Sequence, residues 1–186
     1  MADVTIRPLA ATDEAEARAA HAELSTEHFD FLLEGEEEGD WAQYLRRLEA
    51  IRAGVNLPPG YVAATFLVAE VDGRVAGRVS VRHALTPWLA EWGGHIGFGV
   101  RPAFRRRGVA TALLRAGLRV AGDVQIERAL VTCDVGNVAS AATIERCGGV
   151  FERLSRPDEH GQCVRRYWVD RAAGEASAAI PRQSGA

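Results

Sequence analysis

The sequence has few of the features that would tie a protein to a membrane, a nucleic acid or an oxidising compartment. Its three cysteines, Cys133, Cys147 and Cys163, are widely spaced and form no Cys-x-x-Cys pair, which indicates reduced thiols in a cytoplasm. No apolar run approaches membrane-spanning length, and the first residues do not read as a signal peptide. The net charge of −3 argues against a general nucleic-acid binder. We therefore predict a cytoplasmic protein that acts on neither a membrane nor a nucleic acid.

What the sequence does contain is ordinary for a globular domain. Its 186 residues are 47% hydrophobic and 25% charged, a length and composition that suit one domain with a sizeable core. From Ala172 onward the chain consists largely of Ala, Ser, Gly, Pro and Gln, which is typical of a loose terminus. We predict a domain over residues 1–171 and a flexible tail over 172–186.

Hydrophobic periodicity predicts an alternation of strands and helices. Asp72-Gly73 is a two-residue turn signal between two apolar runs, so Thr65–Arg82 is predicted to form a hairpin. The resulting fold class is α/β, with a mixed, mostly antiparallel sheet. The other predicted strands are 3–9, 95–100, 128–134, 150–154 and 163–169, and the main predicted helices are 41–51, 109–121 and 138–147.

The most informative stretch is a turn rich in arginine between a strand and a helix. The strand ends before Pro102, three arginines follow at 105–107, and a helical apolar pattern begins at Val109. A helix start exposes unpaired N–H groups and partial positive charge, and Gly108 lets a ligand approach the backbone closely. These features predict a phosphate or pyrophosphate site. The alternative is an arginine-rich helix start on an ordinary surface.

This stretch resembles the acetyl-CoA signature of the GNAT superfamily of N-acetyltransferases. The matching residues are Arg105-x-x-Gly108-x-Ala110, placed after Val100-Arg101-Pro102. A second match, Asn137 to Gly149, resembles a downstream family segment and lies at the expected spacing. The resemblance is firm over about residues 62–170. It implies a single GNAT-like domain whose sheet is split between strands 4 and 5 and flanked by helices, with acetyl-CoA as co-substrate and no metal.

The resemblance also implies how acetyl-CoA is held. The backbone of Phe98 and Val100 would pair with the pantetheine arm like an added strand, and the amides of residues 106–110 would cradle the pyrophosphate. Asn137 and Ser140 would contact the pantetheine and the CoA end, although Asn137 could equally be only a helix cap and Ser140 only a surface residue. The full set of implied cofactor-binding residues is Phe98, Gly99, Val100, Arg105, Arg106, Arg107, Gly108, Val109, Ala110, Thr111, Asn137 and Ser140.

The catalytic groups are less defined. His95 occupies a position at which some relatives place a carboxylate base, and an imidazole suits that task; the alternative is a structural histidine at a strand start. Ile144 stands where many relatives carry the tyrosine that protonates the leaving thiolate. Tyr167 and Tyr61 are candidates from elsewhere in the chain, and His83 and Glu91 are lesser candidates for the base. Cys133 reads as a packing residue, not as an acyl-carrying nucleophile.

The predicted function is transfer of an acetyl group from acetyl-CoA to an amine of a small-molecule or peptide acceptor by direct attack. Two alternatives stay open: a non-catalytic acyl-CoA sensor, and an acyltransferase with another acyl group or acceptor. The acidic run over residues 34–40 is either a solvated loop or a lip that attracts a cationic acceptor. A homodimer is also an open expectation.

Overall fold

A seven-stranded sheet is the centre of the structure. The computed structural model describes residues 3–33 and 39–170. Within them the strands are β1 Thr5–Arg7, β2 Ala64–Val71, β3 Arg74–Arg82, β4 Ile96–Val100, β5 Arg128–Asp134, β6 Gly149–Leu154 and β7 Val164–Asp170. The helices are α1 Glu14–Ser25, α2 Trp41–Ala53, α3 Val109–Asp123 and α4 Val138–Arg146. Three short turns of helix lie at Ala11–Asp13, Leu89–Gly93 and Pro102–Phe104.

The strands lie in the order β1-β2-β3-β4-β5-β7-β6. Neighbouring strands are antiparallel except for β4 and β5, which run parallel. This mixed, mostly antiparallel sheet with flanking helices confirms the predicted α/β fold class.

Helices cover both faces of the sheet because side chains on a strand alternate between the faces. On one face, Val79 and Val81 of β3 pack into a core with α3 and α4. On the other, Phe66 and Val68 of β2 pack into a second core with α1 and α2. The middle of the sheet is therefore covered on both sides, and a ligand must enter where two strands separate.

The predicted hairpin is confirmed as β2 and β3. Asp72 and Gly73 form its turn, with φ of 52° and 73°. Two consecutive residues with positive φ define the turn that matches the twist of a two-residue hairpin, and Gly at the second position adopts this conformation without steric cost.

A buried arginine fixes α1 to the end of β4. Arg101 is 7% exposed. Its Nε donates to Glu23 at 2.6 Å, and its Nη1 donates to Glu16 at 2.7 Å and to the carbonyl oxygen of Val75 at 3.0 Å. Both carboxylates belong to α1, so the ion pairs set the position of that helix over the strand that carries the candidate site.

Two expectations from the sequence fall partly or wholly outside the described residues. Residues 34–38, the centre of the acidic run, and residues 171–186, which include the predicted tail, are not described. The domain boundary at 171 therefore stays a prediction. In the parts of the chain that are described, no helix combines the length and the apolar character needed to cross a membrane.

Candidate active site

The turn before α3 forms a cradle of backbone amides. Arg106 and Gly108 have φ of 62° and 87°, so the chain changes direction twice within three residues. The first helical bond runs from the N–H of Ala112 to the carbonyl oxygen of Gly108 at 3.0 Å. The amides of residues 108–111 therefore precede the helical ladder and have no acceptor within it. Such a left-handed turn at a helix start is a site for an anion.

The arginine side chains of this turn are held loosely at its rim. Arg105 donates to Glu27 at 2.6 Å and, through Nε, to the carbonyl oxygen of Val100 at 3.0 Å. The Arg105 hydrogen bond lowers the pKa of the Glu27 carboxyl. Arg107 pairs with Asp72 at 3.2 Å, and the side chains of Arg105 and Arg107 are 42% and 40% exposed. Exposed pairs of this kind contribute little to stability, so both cations can turn toward a bound phosphate.

The strand that leads into this turn has one open edge. β4 and β5 share a single register pair, Ile96 with Val131, and then diverge. The N–H of Arg82 donates to the carbonyl oxygen of His95, and the N–H of Arg101 donates to the carbonyl oxygen of Ala76. Because hydrogen-bonded and non-hydrogen-bonded pairs alternate in an antiparallel ladder, the N–H and C=O groups of Gly97 and Gly99 point toward β3. The backbone groups of Phe98 and Val100 therefore face the gap beside β5. The resemblance to the family implied this position, and contact of these groups with a cofactor stays a prediction.

On the far side of the gap, α4 begins at a capped residue. The Oδ1 of Asn137 accepts from the N–H of Ser140 at 3.0 Å, so the interpretation of Asn137 as a helix cap is confirmed. Ser140 is half-buried on the first turn of α4. Contact of either residue with a cofactor stays a prediction.

His95, the predicted base, is buried just before β4 and contacts the backbone of β5. It is 8% exposed, and its Nδ1 accepts from the N–H of Leu130 at 2.9 Å. Burial, with a smaller contribution from the charge of Arg82, lowers the pKa of His95 to about 4. The ring is therefore neutral with its proton on Nε2, and its one lone pair is already used. The hydrogen bond to the β5 backbone favours the structural alternative, and a catalytic role for His95 stays a prediction.

Glu91 and His83, the lesser candidates for the base, also form hydrogen bonds within the protein. Both Nη atoms of Arg153 donate to Glu91 at 2.9 Å, and the N–H of Arg156 donates to it at 2.7 Å. These hydrogen bonds lower the pKa of Glu91 to about 2, too low for it to take a proton from an amine near neutral pH. His83 Nε2 shares a hydrogen bond of 2.9 Å with Thr65 Oγ1.

The two tyrosines considered as proton donors to a leaving thiolate differ in burial: Tyr61 is 52% exposed, whereas Tyr167 is fully buried. Ile144, at the usual tyrosine position, is fully buried in the core beneath α4. Tyr167 lies in the same core and donates its hydroxyl to Glu145 at 3.1 Å. Burial and this hydrogen bond raise the pKa of Tyr167, so it keeps its proton. Burial likewise raises the pKa of Cys133 to about 11, which leaves its thiol protonated and a poor nucleophile.

Two functional candidates were not recognised from the sequence. Arg78 and Arg82 alternate with Val79 and Val81 along β3, and they face α1 and α2 instead of solvent. The available signal was the position of two arginines in the centre of a sheet, since arginine is almost never fully buried without a partner. Across the described residues, no group of three or more His, Cys, Asp or Glu side chains could hold a metal ion.

The comparison with known families agrees with this geometry. The model of the acetyltransferase (GNAT) family matches residues 17–149, which is well over half of the chain. The chain belongs to this family and is an acetyltransferase. No curated protein sequence matches it significantly.

Solved structures share the fold along nearly the whole chain. YncA of Salmonella typhimurium, with its cofactor acetyl-CoA, is 16% identical, with a TM-score of 0.61 over 90% of this chain and 94% of that chain. RimJ of Mycobacterium smegmatis, in complex with CoA-disulfide, is 20% identical, with a TM-score of 0.68 over 94% and 88%. A spermidine N-acetyltransferase SpeG chimera from Vibrio cholerae and hSSAT is 17% identical, with a TM-score of 0.61 over 92% and 98%. At these identities the similarity establishes the fold.

Proposed function

We propose that the protein transfers an acetyl group from acetyl-CoA directly to an amine. The observation that carries the proposal is that β4 has an open edge and leads into the amide cradle before α3. Phe98 and Val100 present backbone groups along the gap, and the amide cradle of residues 108–111 follows the strand after one short turn of helix. An extended pantetheine arm can add to the open edge while its pyrophosphate meets the cradle.

The chemistry needs few side chains. A neutral amine attacks the thioester carbonyl carbon, a tetrahedral oxyanion forms, and the C–S bond then breaks to release CoA thiolate. The amide of Phe98 faces the gap and is the candidate donor to the oxyanion. Because His95 and Glu91 are already engaged by hydrogen bonds, the ammonium proton leaves to water. The CoA thiolate departs unprotonated, because the Tyr167 hydroxyl is buried and already donates to Glu145.

Steady-state turnover tests the proposal. The protein is incubated with acetyl-CoA and a panel of polyamines, amino acids, aminoglycosides and peptides with free N-termini, while CoA release and product mass are followed together. The chain contains no lysine, so acetylation of its own lysines cannot add to the signal. We expect equimolar CoA and N-acetylated product from at least one class of acceptor.

Two other outcomes would identify the alternative functions. Tight binding of acetyl-CoA with no CoA release for any acceptor would indicate that the protein is a non-catalytic acyl-CoA sensor. Faster turnover of a longer acyl-CoA would show that the transferred group is not acetyl. An O-acetylated product would show that the acceptor is not an amine.

A further inference from the structure

Arg78 is a buried cation without a buried counter-charge. It is 5% exposed. Its Nη2 donates to the carbonyl oxygen of Asp30 at 2.6 Å and its Nη1 to Ser80 Oγ at 2.7 Å, and the guanidinium lies 4.4 Å from the centre of the Phe29 ring. Its Nε has no hydrogen-bond partner. All of these partners are neutral groups, and a buried charge is costly unless an opposite charge or a strong acceptor meets it.

A second arginine points to the same place. Arg82 donates through Nη1 to the carbonyl oxygens of Gly93 and Gly94 at 3.1 and 3.2 Å. A Cβ placed on Gly97 would lie 3.9 Å from the Nη1 atoms of both Arg78 and Arg82. The two cations therefore converge over a glycine of β4, where the absence of a side chain lets both guanidinium groups lie close to the strand.

The protein supplies little negative charge to this pair. Among the described residues, neither Arg78 nor Arg82 forms an ion pair with a carboxylate. Asp30 offers its carbonyl oxygen, and its carboxylate acts only at longer range. Burial and the charge of Arg82 lower the pKa of Arg78 to about 9. An anion bound here would reverse that shift and use the unpartnered Nε.

The position of the pair relates it to the proposed reaction. Arg78, Arg82 and Gly97 lie on the face of the sheet that carries α1 and α2, whereas Phe98 points to the opposite face. Gly97 is three residues, or roughly 10 Å of extended strand, from Val100 and the amide cradle beyond it. The pair thus lies near the closed end of the gap, where the thioester would be, and away from the phosphates.

We propose that Arg78 and Arg82 bind the carboxylate of the acceptor, so that the substrate is an amino acid or a similar amine with an adjacent carboxylate. This inference rests on the proposed acetyl transfer. A guanidinium matches a carboxylate in charge and in fork geometry. This site would bind a negatively charged group, whereas the acidic run over residues 34–40 suggested a cationic acceptor. The experiments below distinguish these two hypotheses.

The first test needs no variant. Wild-type kcat/KM is measured for each common L-amino acid, for its carboxamide and for the amine formed by its decarboxylation. We expect the amino acid to be preferred over both neutral-ended analogues by about 10- to 100-fold, as for a charge-assisted hydrogen bond. Equal or better turnover of the decarboxylated amine or of a polyamine would overturn the proposal and favour the acidic lip.

Variants then assign the preference to these residues. Arg78→Met and Arg82→Gln should raise KM for the amino acid by about 10- to 100-fold and leave KM for the decarboxylated amine unchanged. Arg74→Met is the matched control and should change neither KM, because Arg74 lies on the same strand but is exposed and contacts Glu16 at 3.5 Å and the Phe104 ring. An equal loss for both acceptors would show that Arg78 only holds the loop at Asp30, and would overturn the proposal.

A binding measurement separates failure of this inference from failure of the proposed function. Calorimetric titration of the CoA-bound protein with the same amino acids and amines requires no turnover. Amino-acid binding that Arg78→Met or Arg82→Gln abolishes would support the anion site even if no acetyl group moves. Absence of amino-acid binding, alongside turnover of other amines, would overturn the anion site and leave acetyl transfer intact.

Discussion

Gly108 is the residue at which the cofactor site can be tested with little damage to the fold. A Cβ at this position would have no heavy atom within 4 Å, so a side chain meets no clash. The cost is the left-handed backbone, φ 87°, at about 1–2 kcal/mol for a non-glycine residue. That corresponds to a fall in Tm of roughly 2–8 °C for a domain of this size. Asp and Asn tolerate this conformation similarly, so both variants should fold.

The two variants differ in one charge. In Gly108→Asp the carboxylate would lie about 5 Å from a bound phosphate, and one pair of like charges at that separation costs about 3 kcal/mol at an effective dielectric constant near 20. Acetyl-CoA should therefore bind about two orders of magnitude more weakly to Gly108→Asp than to Gly108→Asn. Calorimetry at low and moderate salt measures the difference, which screening should reduce. Equal affinities of the two variants for acetyl-CoA, with matching Tm values, would show that the phosphates do not bind at this turn.

Three further predictions concern His95, Arg101 and the acidic run. His95→Asn keeps an acceptor for the Leu130 amide, whereas His95→Ala leaves that amide unsatisfied at a cost of about 1–3 kcal/mol; neither should lower kcat appreciably. Because the folded-state pKa of His95 lies below its usual value, its contribution to stability is complete above about pH 6.5 and is lost as the pH falls toward about 4. Arg101→Met should lower the free energy of unfolding by about 3 kcal/mol, or Tm by roughly 6–12 °C, and Arg101→Lys by less. Changing Glu36, Glu37 and Glu38 together to Gln should raise the acceptor KM only if the acceptor is cationic, and should leave the acetyl-CoA KM unchanged.

Each of these predictions has a result that would contradict it. A fall in kcat of a hundredfold or more in both His95 variants would restore the general-base interpretation. An unchanged denaturation midpoint in Arg101→Met would mean that its ion pairs do not hold α1. Identical acceptor kinetics in the triple glutamine variant would assign the acidic run to a solvated loop.

The backbone part of the candidate site could be predicted because it depends on local sequence. Gly108 and the run of arginines specify a turn at a helix start, whereas the resemblance to the family implied which residues of β4 face the gap. The Asp72-Gly73 hairpin is local in the same sense. Short-range turn chemistry was sufficient for these two turns.

The roles of individual side chains could not be predicted because they depend on contacts distant in sequence. The His95 ring bonds to the backbone of Leu130, 35 residues away, and no local pattern indicates that partner. Arg78 is enclosed by the loop at Phe29 and Asp30, 48 residues earlier. Its position in a central strand was visible, but whether it met solvent, a carboxylate or an aromatic ring was decided by tertiary packing.

The central claim is that an acetyl group passes from CoA directly to an amine in the gap between β4 and β5. The most direct test is a single-turnover reaction with carbon-13-labelled acetyl-CoA, followed by NMR and intact protein mass, in the presence of the acceptor that the panel identifies. We predict that the label moves from the thioester to an amide nitrogen of the acceptor as an equal amount of CoA appears, and that Gly108→Asp slows this step at limiting acetyl-CoA while Gly108→Asn retains it. Label that stays on CoA, or that accumulates on the protein, would contradict the claim.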